Sequence, residues 1–159
     1  MKLYLDTNVY IEAFERNSTK SALLSDLIID SARFDCSITA SELVLTELLV
    51  KPIRDEDHRL VATYYALMHE LDWIDVRPVS SPTLLFAATL RATNDALKLP
   101  DAIHLAEAAR ADCANFITIE KRLSSLQWDK AWLALQMTGQ PPTVTNMTDS
   151  NLDFVLGRA

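Results

Sequence analysis

The stretch Lys2-Leu-Tyr-Leu-Asp-Thr-Asn-Val9 holds the first strand and the beginning of the first helix of this chain. Its short, mainly apolar run at residues 2–5 predicts a buried strand. Asp6 follows directly and is a residue type that caps helices, so a helix is predicted over residues 7–16. A strand that passes into a helix without a hairpin is typical of α/β proteins.

The same alternation continues along the chain. Thr39-Ala-Ser-Glu42 has the spacing of a capping box, and we expect Pro52 to stop the helix that it opens near residue 50. Further strands are predicted at 35–38, 73–77 and 116–118, and further helices at 20–33, 54–71, 82–97 and 100–112. Since hairpin signals are missing between them, the strands should be parallel and covered by helices on both faces. The predicted fold is a three-layer α/β/α sandwich with a central parallel sheet.

The length of 159 residues, 49% of them hydrophobic, predicts one domain over residues 1–159. Its motif-bearing core is residues 1–126. The C-terminal extension, 127–159, should contain a packing helix at 128–137, a short strand near 143–145 and a loosely held tail. The N-terminal residues resemble neither a signal peptide nor a membrane span, so we expect a cytoplasmic protein.

Glycine and cysteine usage excludes several functions. The only glycines are Gly139 and Gly157, which excludes a Gly-rich phosphate loop, a dinucleotide fingerprint and a nucleophile elbow. The two cysteines, Cys36 and Cys113, form no CxxC pair and stand in apolar surroundings. We expect buried thiols rather than a disulfide.

Four acids stand near the ends of predicted elements. Asp6 ends the first strand and Glu120 follows the fourth. Glu47 lies inside the helix after the second strand, and Asp101 stands at the head of the helix before the fourth strand. Because the functional crevice of an open parallel sheet lies outside the carboxyl ends of its strands, we expect the four acids to meet there.

A cluster of carboxylates favours a hard divalent cation. Ligands that are all oxygen select Mg²⁺ or Mn²⁺, and His58, His69 and His104 are too scattered for a zinc motif. Without a cation the acids would repel one another. Metal-assisted hydrolysis of a phosphodiester is the chemistry that fits best.

Each acid also has an ordinary structural explanation. Asp6 can be only a helix cap, and Asp101 only a favourable charge in a first helical turn. Glu47 can be a solvated helix position, and Glu120 the start of a short helix. Glu42 is explained by the capping box.

Other polar residues are candidates for supporting roles. His104, one turn after Asp101, can be a base that reaches that acid or simply a buried histidine whose hydrogen bonds are satisfied. Candidates to orient ligands, or else to cap helices, are Thr7, Asn8 and Thr118. Candidates to bind a phosphate backbone, or else to remain as solvated charges, are Lys51, Arg54, Lys121 and Arg122.

The net charge of −7 argues against a general nucleic-acid binder. The four candidate acids account for much of it, since without them 18 acidic residues face 15 basic ones. Each bound divalent ion would add two positive charges where a phosphate would lie. RNA binding at such a site is therefore compatible with the composition.

Four segments resemble the successive motifs of the PIN-domain ribonucleases, especially the VapC-like toxins of type II toxin–antitoxin systems. They are Leu5-Asp-Thr-Asn-Val9, Ser41 to Pro52, Leu99-Pro-Asp-Ala-Ile-His-Leu-Ala106 and Phe116-Ile-Thr-Ile-Glu-Lys-Arg-Leu123. The first and third are the most specific. The resemblance implies a parallel α/β/α fold, Mg²⁺- or Mn²⁺-dependent endoribonuclease activity, a homodimer and a cognate antitoxin. By position, Asp6, Glu47 and Asp101 match the family's metal-binding acids.

The fourth segment departs from the family pattern. It usually contains Thr-Asn-Asp, where this chain has Thr118, Ile119 and Glu120. Glu120 is longer than Asp by one methylene and is expected to reach a metal through that longer arm.

Two other functions fit the same segments: a stand-alone PIN nuclease of RNA maturation, and a degenerate PIN module that binds RNA or protein without cutting. A phosphatase of the haloacid-dehalogenase type also begins with an Asp at a strand end. That family needs a second Asp two residues on, where this chain has Asn8.

Overall fold

The computed structural model describes residues 1–147, so the tail predicted after the last strand lies mostly outside the described residues. The strands are β1 (Lys2–Leu5), β2 (Ser37–Ser41), β3 (Ile74–Arg77), β4 (Asn115–Thr118) and β5 (Thr143–Asn146). The helices are α1 (Thr7–Glu15), α2 (Thr19–Ile29), α3 (Glu42–Arg54), α4 (His58–His69), α5 (Ser81–Thr93), α6 (Leu99–Arg110) and α7 (Asp129–Ala134). Two 3₁₀ turns, Ser31–Phe34 and Lys121–Ser125, complete this part of the chain.

All five strands form one parallel sheet in the order β3-β2-β1-β4-β5. Successive residues of a strand point to opposite faces, and β1 shows the consequence. Leu3 and Leu5 pack in a core with α1–α4, whereas Tyr4 packs in a second core with α5–α7. The three-layer α/β/α prediction is confirmed. No helix of residues 1–147 is both long and apolar enough to cross a membrane.

The expectation that Pro52 stops its helix is wrong. Helix α3 continues through Pro52 to Arg54. A proline in the last helical turn removes only the one hydrogen bond that its own N–H would have made. The Pro52 ring is buried, and that packing favours the longer helix.

The predicted capping box is also wrong. Thr39 is a buried residue of β2, which runs on to Ser41, and Ser41 is the residue that precedes α3. The Ser41 hydroxyl makes no capping bond and is hydrogen-bonded to Tyr4 instead. Sheet pairing with β1 and β3 thus outweighs the local capping signal, and Glu42 is an exposed first-turn residue of α3.

Both cysteines are free, as expected, and Cys113 is buried. Burial raises the pKa of the Cys113 thiol to about 11. Because the thiolate is the reactive form, we expect iodoacetamide at pH 8 to leave Cys113 unmodified in the folded protein. Peptide mass spectrometry should show its alkylation only after unfolding in guanidinium. Equal rates in the folded and unfolded chain would contradict this environment.

Candidate active site

Asp6 lies at the carboxyl edge of the sheet, between β1 and α1, and is only 4% exposed. One carboxylate oxygen accepts a hydrogen bond from the Thr7 backbone N–H at 2.8 Å, and the other accepts one from the Thr118 hydroxyl at 2.7 Å. Burial raises the pKa of Asp6, and nearby Asp101 adds to the rise, while His104 and the Thr118 and Thr7 hydrogen bonds oppose it. Asp6 therefore caps the helix and is also a buried acid at the predicted crevice.

Glu47, on α3, is half-buried beside Asp6. Its Oε2 accepts hydrogen bonds from the Thr7 hydroxyl and from His104 Nε2, the latter at 2.9 Å. Burial acts to raise the pKa of Glu47, but the hydrogen bonds from His104 and Thr7 outweigh it and lower that pKa. Glu47 is thus held as a carboxylate rather than left as a solvated helix position.

Asp101 lies in the first turn of α6, where a negative charge is favourable. Its Oδ2 accepts a hydrogen bond from a terminal nitrogen of Arg122 at 2.6 Å. The Nε of the same guanidinium lies 3.3 Å from Glu120 Oε2, and the Glu120 side chain is 40% exposed. Arg122 therefore links Asp101 to Glu120, so Glu120 reaches the acid cluster through an arginine.

His104 does not take the place that its spacing from Asp101 suggested. Its hydrogen-bond partners are Glu47 and Tyr4, with the Thr7 hydroxyl 3.4 Å from Nε2. Tyr4 was not predicted as a functional residue, although a tyrosine in the middle of a buried strand needs a partner for its hydroxyl. That requirement was the one indication in the sequence that the Tyr4 hydroxyl has a hydrogen-bonding role.

The acids of this site offer only carboxylate oxygens, the donors that Mg²⁺ and Mn²⁺ prefer. Within residues 1–147, however, no three His, Cys, Asp or Glu side chains converge closely enough to hold a metal ion. Arg122 opposes metal binding at Asp101, because its guanidinium is hydrogen-bonded to that carboxylate. The donor set fits a hard cation in type, and binding one requires movement of the Asp101 and Arg122 side chains, while Glu47 is held by Thr7 and His104.

A groove leads to Glu47 between α1 and α3. Its part nearest the acids has a volume of about 270 Å³ and is lined by Ile11, Glu15, Arg16, Glu47, Leu48 and Lys51. A wider part, of about 510 Å³, shares Glu15 and Lys51 and extends to Arg59 on α4. Of the four candidate acids, Glu47 lines this groove, together with three basic side chains, Arg16, Lys51 and Arg59.

The family of this chain follows from its sequence match. The family described as PIN domain matches residues 3–128, a range that includes all four candidate acids. The chain belongs to the PIN domain family. No curated protein sequence matches it.

Solved structures resemble this PIN domain closely in fold. A chain of the VapBC2 complex of Rickettsia felis, bound to a DNA fragment from its promoter, has a TM-score of 0.63 at 13% identity, covering 92% of this chain and 98% of that one. VapC20 of Mycobacterium tuberculosis, described as a sarcin–ricin loop cleaving toxin, has a TM-score of 0.61 at 15% identity, with 88% and 99% covered. A toxin–antitoxin complex from Klebsiella pneumoniae has a TM-score of 0.58 at 23% identity, with 78% and 92% covered. At such identities the likeness establishes the fold.

Proposed function

We propose that this PIN domain is an endoribonuclease that depends on Mg²⁺ or Mn²⁺ and is the toxin of a toxin–antitoxin pair. The observation that carries the proposal is the position of Asp6, Glu47 and Asp101. They come from three separate segments, lie at the carboxyl edge of one parallel sheet and stand within the residues matched to the PIN domain. This edge is where open α/β folds carry out their chemistry.

In the proposed site, Asp6, Glu47 and Asp101 hold the metal and Glu120 contributes to it. Bound Mg²⁺ or Mn²⁺ supplies polarisation of a phosphoryl oxygen and a lowered pKa for bound water. Thr7 orients two acids at once, because its N–H binds Asp6 and its hydroxyl binds Glu47.

The groove beside Glu47 supports an RNA substrate. Lys51 and Arg16 line its near part and Arg59 its far part, beside the acidic Glu15 and Asp57, so these three cations are available to contact a phosphate backbone. Lys51 is paired with Glu15 at 2.9 Å, and its side chain is exposed. The Glu15 side chain is only 12% exposed and keeps a hydrogen bond from the Tyr64 hydroxyl, so Lys51 can exchange Glu15 for a phosphate.

The toxin role draws on the structural neighbours. The Klebsiella pneumoniae structure is described as a toxin–antitoxin complex, and VapC20 of Mycobacterium tuberculosis as a toxin. We extend this to a cognate antitoxin and a homodimer for this chain, as the PIN resemblance implies.

A second candidate is a PIN module that binds RNA or protein without cutting. Arg122 favours it, because its guanidinium binds Asp101 and supplies positive charge where the nuclease needs a metal. The replacement of the usual motif residues by Ile119 and Glu120 points the same way.

One assay distinguishes the nuclease from the non-cutting PIN module. The purified chain, free of any partner, is incubated with structured and unstructured RNA in Mg²⁺, Mn²⁺ or EDTA. We expect cleavage with 5′-phosphate ends in either metal and none in EDTA. Cleavage that survives EDTA would contradict the metal mechanism. Absence of both cleavage and Mn²⁺ binding by calorimetry would favour the binding module.

A further inference from the structure

His104 lies where the two helical layers meet at the carboxyl edge of the sheet. It belongs to α6, on the face opposite α3, yet its Nε2 is 2.9 Å from Glu47 Oε2. On its other side, Nδ1 lies 2.8 Å from the Tyr4 hydroxyl, which is also hydrogen-bonded to Ser41 Oγ at 2.9 Å. One chain of hydrogen bonds therefore runs from the end of β2, through β1 and α6, to the acid on α3.

The imidazole is held from both sides and sealed from water. His104 is 1% exposed, and Tyr4 and Ser41 are fully buried. Any rotation of the ring would leave buried polar atoms without partners, which is unfavourable. The ring orientation is thus fixed by Tyr4, whereas the Glu47 side chain at the other end is only half-buried.

The direction of the last hydrogen bond follows from the acceptor. An ionised carboxylate only accepts hydrogen bonds, and Glu47 Oε2 also accepts one from the Thr7 hydroxyl. Nε2 therefore donates to Glu47, and the bond between Nδ1 and Tyr4 can be made with either atom as the donor. Because no face of the ring reaches solvent, His104 has no path to a substrate in the groove.

We infer that His104 is a positioning residue: it holds the Glu47 carboxylate in place for a divalent cation, and Tyr4 and Ser41 fix the orientation of its ring. The inference rests on the proposed metal-dependent function. Groups that orient metal ligands typically change metal affinity or activity by about 10–100-fold when they are removed.

The test compares two buried tyrosines. Tyr4→Phe removes the hydroxyl that orients His104. Tyr10→Phe is the matched control, because Tyr10 is also fully buried and its hydroxyl has no hydrogen-bond partner within residues 1–147. By calorimetry, Tyr4→Phe is expected to weaken Mn²⁺ binding about 10-fold. The metal-free Tyr4→Phe variant should melt below Tyr10→Phe, because Ser41 Oγ and His104 Nδ1 lose a buried partner. Tyr10→Phe should bind Mn²⁺ like the wild type.

A second pair of variants tests the imidazole itself. In His104→Gln the side-chain amide can still donate to Glu47, whereas His104→Leu has no donor. We expect Mn²⁺ affinity to fall about 100-fold in the Leu variant and to be partly rescued in the Gln variant. RNA cleavage by Tyr4→Phe should recover when Mn²⁺ is raised to saturation.

Three results would overturn the inference in distinguishable ways. Wild-type Mn²⁺ affinity in both Tyr4→Phe and His104→Leu would overturn the positioning role alone and leave the nuclease intact. A lower melting temperature without any change in affinity would assign these residues to stability only. A wild-type chain that binds no Mn²⁺ would overturn the proposed function and this inference together.

Discussion

Replacing Asp101 with Asn is expected to lower Mn²⁺-dependent RNA cleavage by more than about 100-fold, the upper end of the effect seen when groups that merely orient metal ligands are lost. The amide keeps the shape of the side chain but removes the negative charge from the first turn of α6. It also removes the carboxylate that Arg122 binds. The measurement is single-turnover cleavage of RNA in saturating Mn²⁺, with the melting temperature of each variant as the test of folding.

The control for this substitution is Asp112→Asn. Asp112 is exposed, follows the C-terminal end of α6 and has φ 54°, a left-handed conformation that Asn adopts readily. It makes the same chemical change on the same segment, away from the acids, and should leave cleavage at the wild-type rate. If Asp101→Asn kept more than a tenth of the wild-type rate, Asp101 would not be a metal ligand.

Most of the fold could be predicted because it is encoded locally. The apolar runs that predict β1 and β4 lie where the structure has strands, and the weaker signal near residues 143–145 is also a strand, β5. The errors concern local rules that tertiary contacts override. Thr39 has the spacing of a cap and lies in the sheet, while Pro52 has the chemistry of a helix stop and is buried in the last turn of α3.

The candidate site was predictable as a set of residues and not as a set of contacts. Asp6 and Asp101 could be found from their places at helix starts, since that property is local. The bonds of His104 span 100 residues to Tyr4 and 57 to Glu47, and no spacing rule reaches that far. The link between Arg122 and Asp101 depends in the same way on how β4 and α6 pack.

The ion pair of Arg77 and Glu107 also could not be predicted from the sequence. Breaking it is expected to have the largest effect on stability. Glu107 is 2% exposed, Arg77 Nε lies 2.7 Å from its Oε1, and the Thr83 hydroxyl donates to its Oε2 at 2.6 Å. Arg77→Met leaves that charge buried with Thr83 alone. We expect the free energy of unfolding at pH 7 to fall by about 3 kcal/mol, the lower end for a broken buried pair, because 35% of the Arg77 side chain faces water. Urea denaturation measures it.

Two further variants distinguish the loss of the ion pair from other effects of the Arg77 substitution. Lys2→Met breaks the more exposed pair of Lys2 with Asp75, at 3.5 Å, and should cost less than about 1 kcal/mol. The double variant Arg77→Met with Glu107→Met removes both charges and should recover most of the lost stability, because two apolar side chains of similar length can fill the space. If the double variant were as unstable as Arg77→Met, the loss would come from packing of the arginine stem. The pair joins β3 to α6, the helix of Asp101 and His104, and Thr83 joins α5 to the same Glu107 carboxylate.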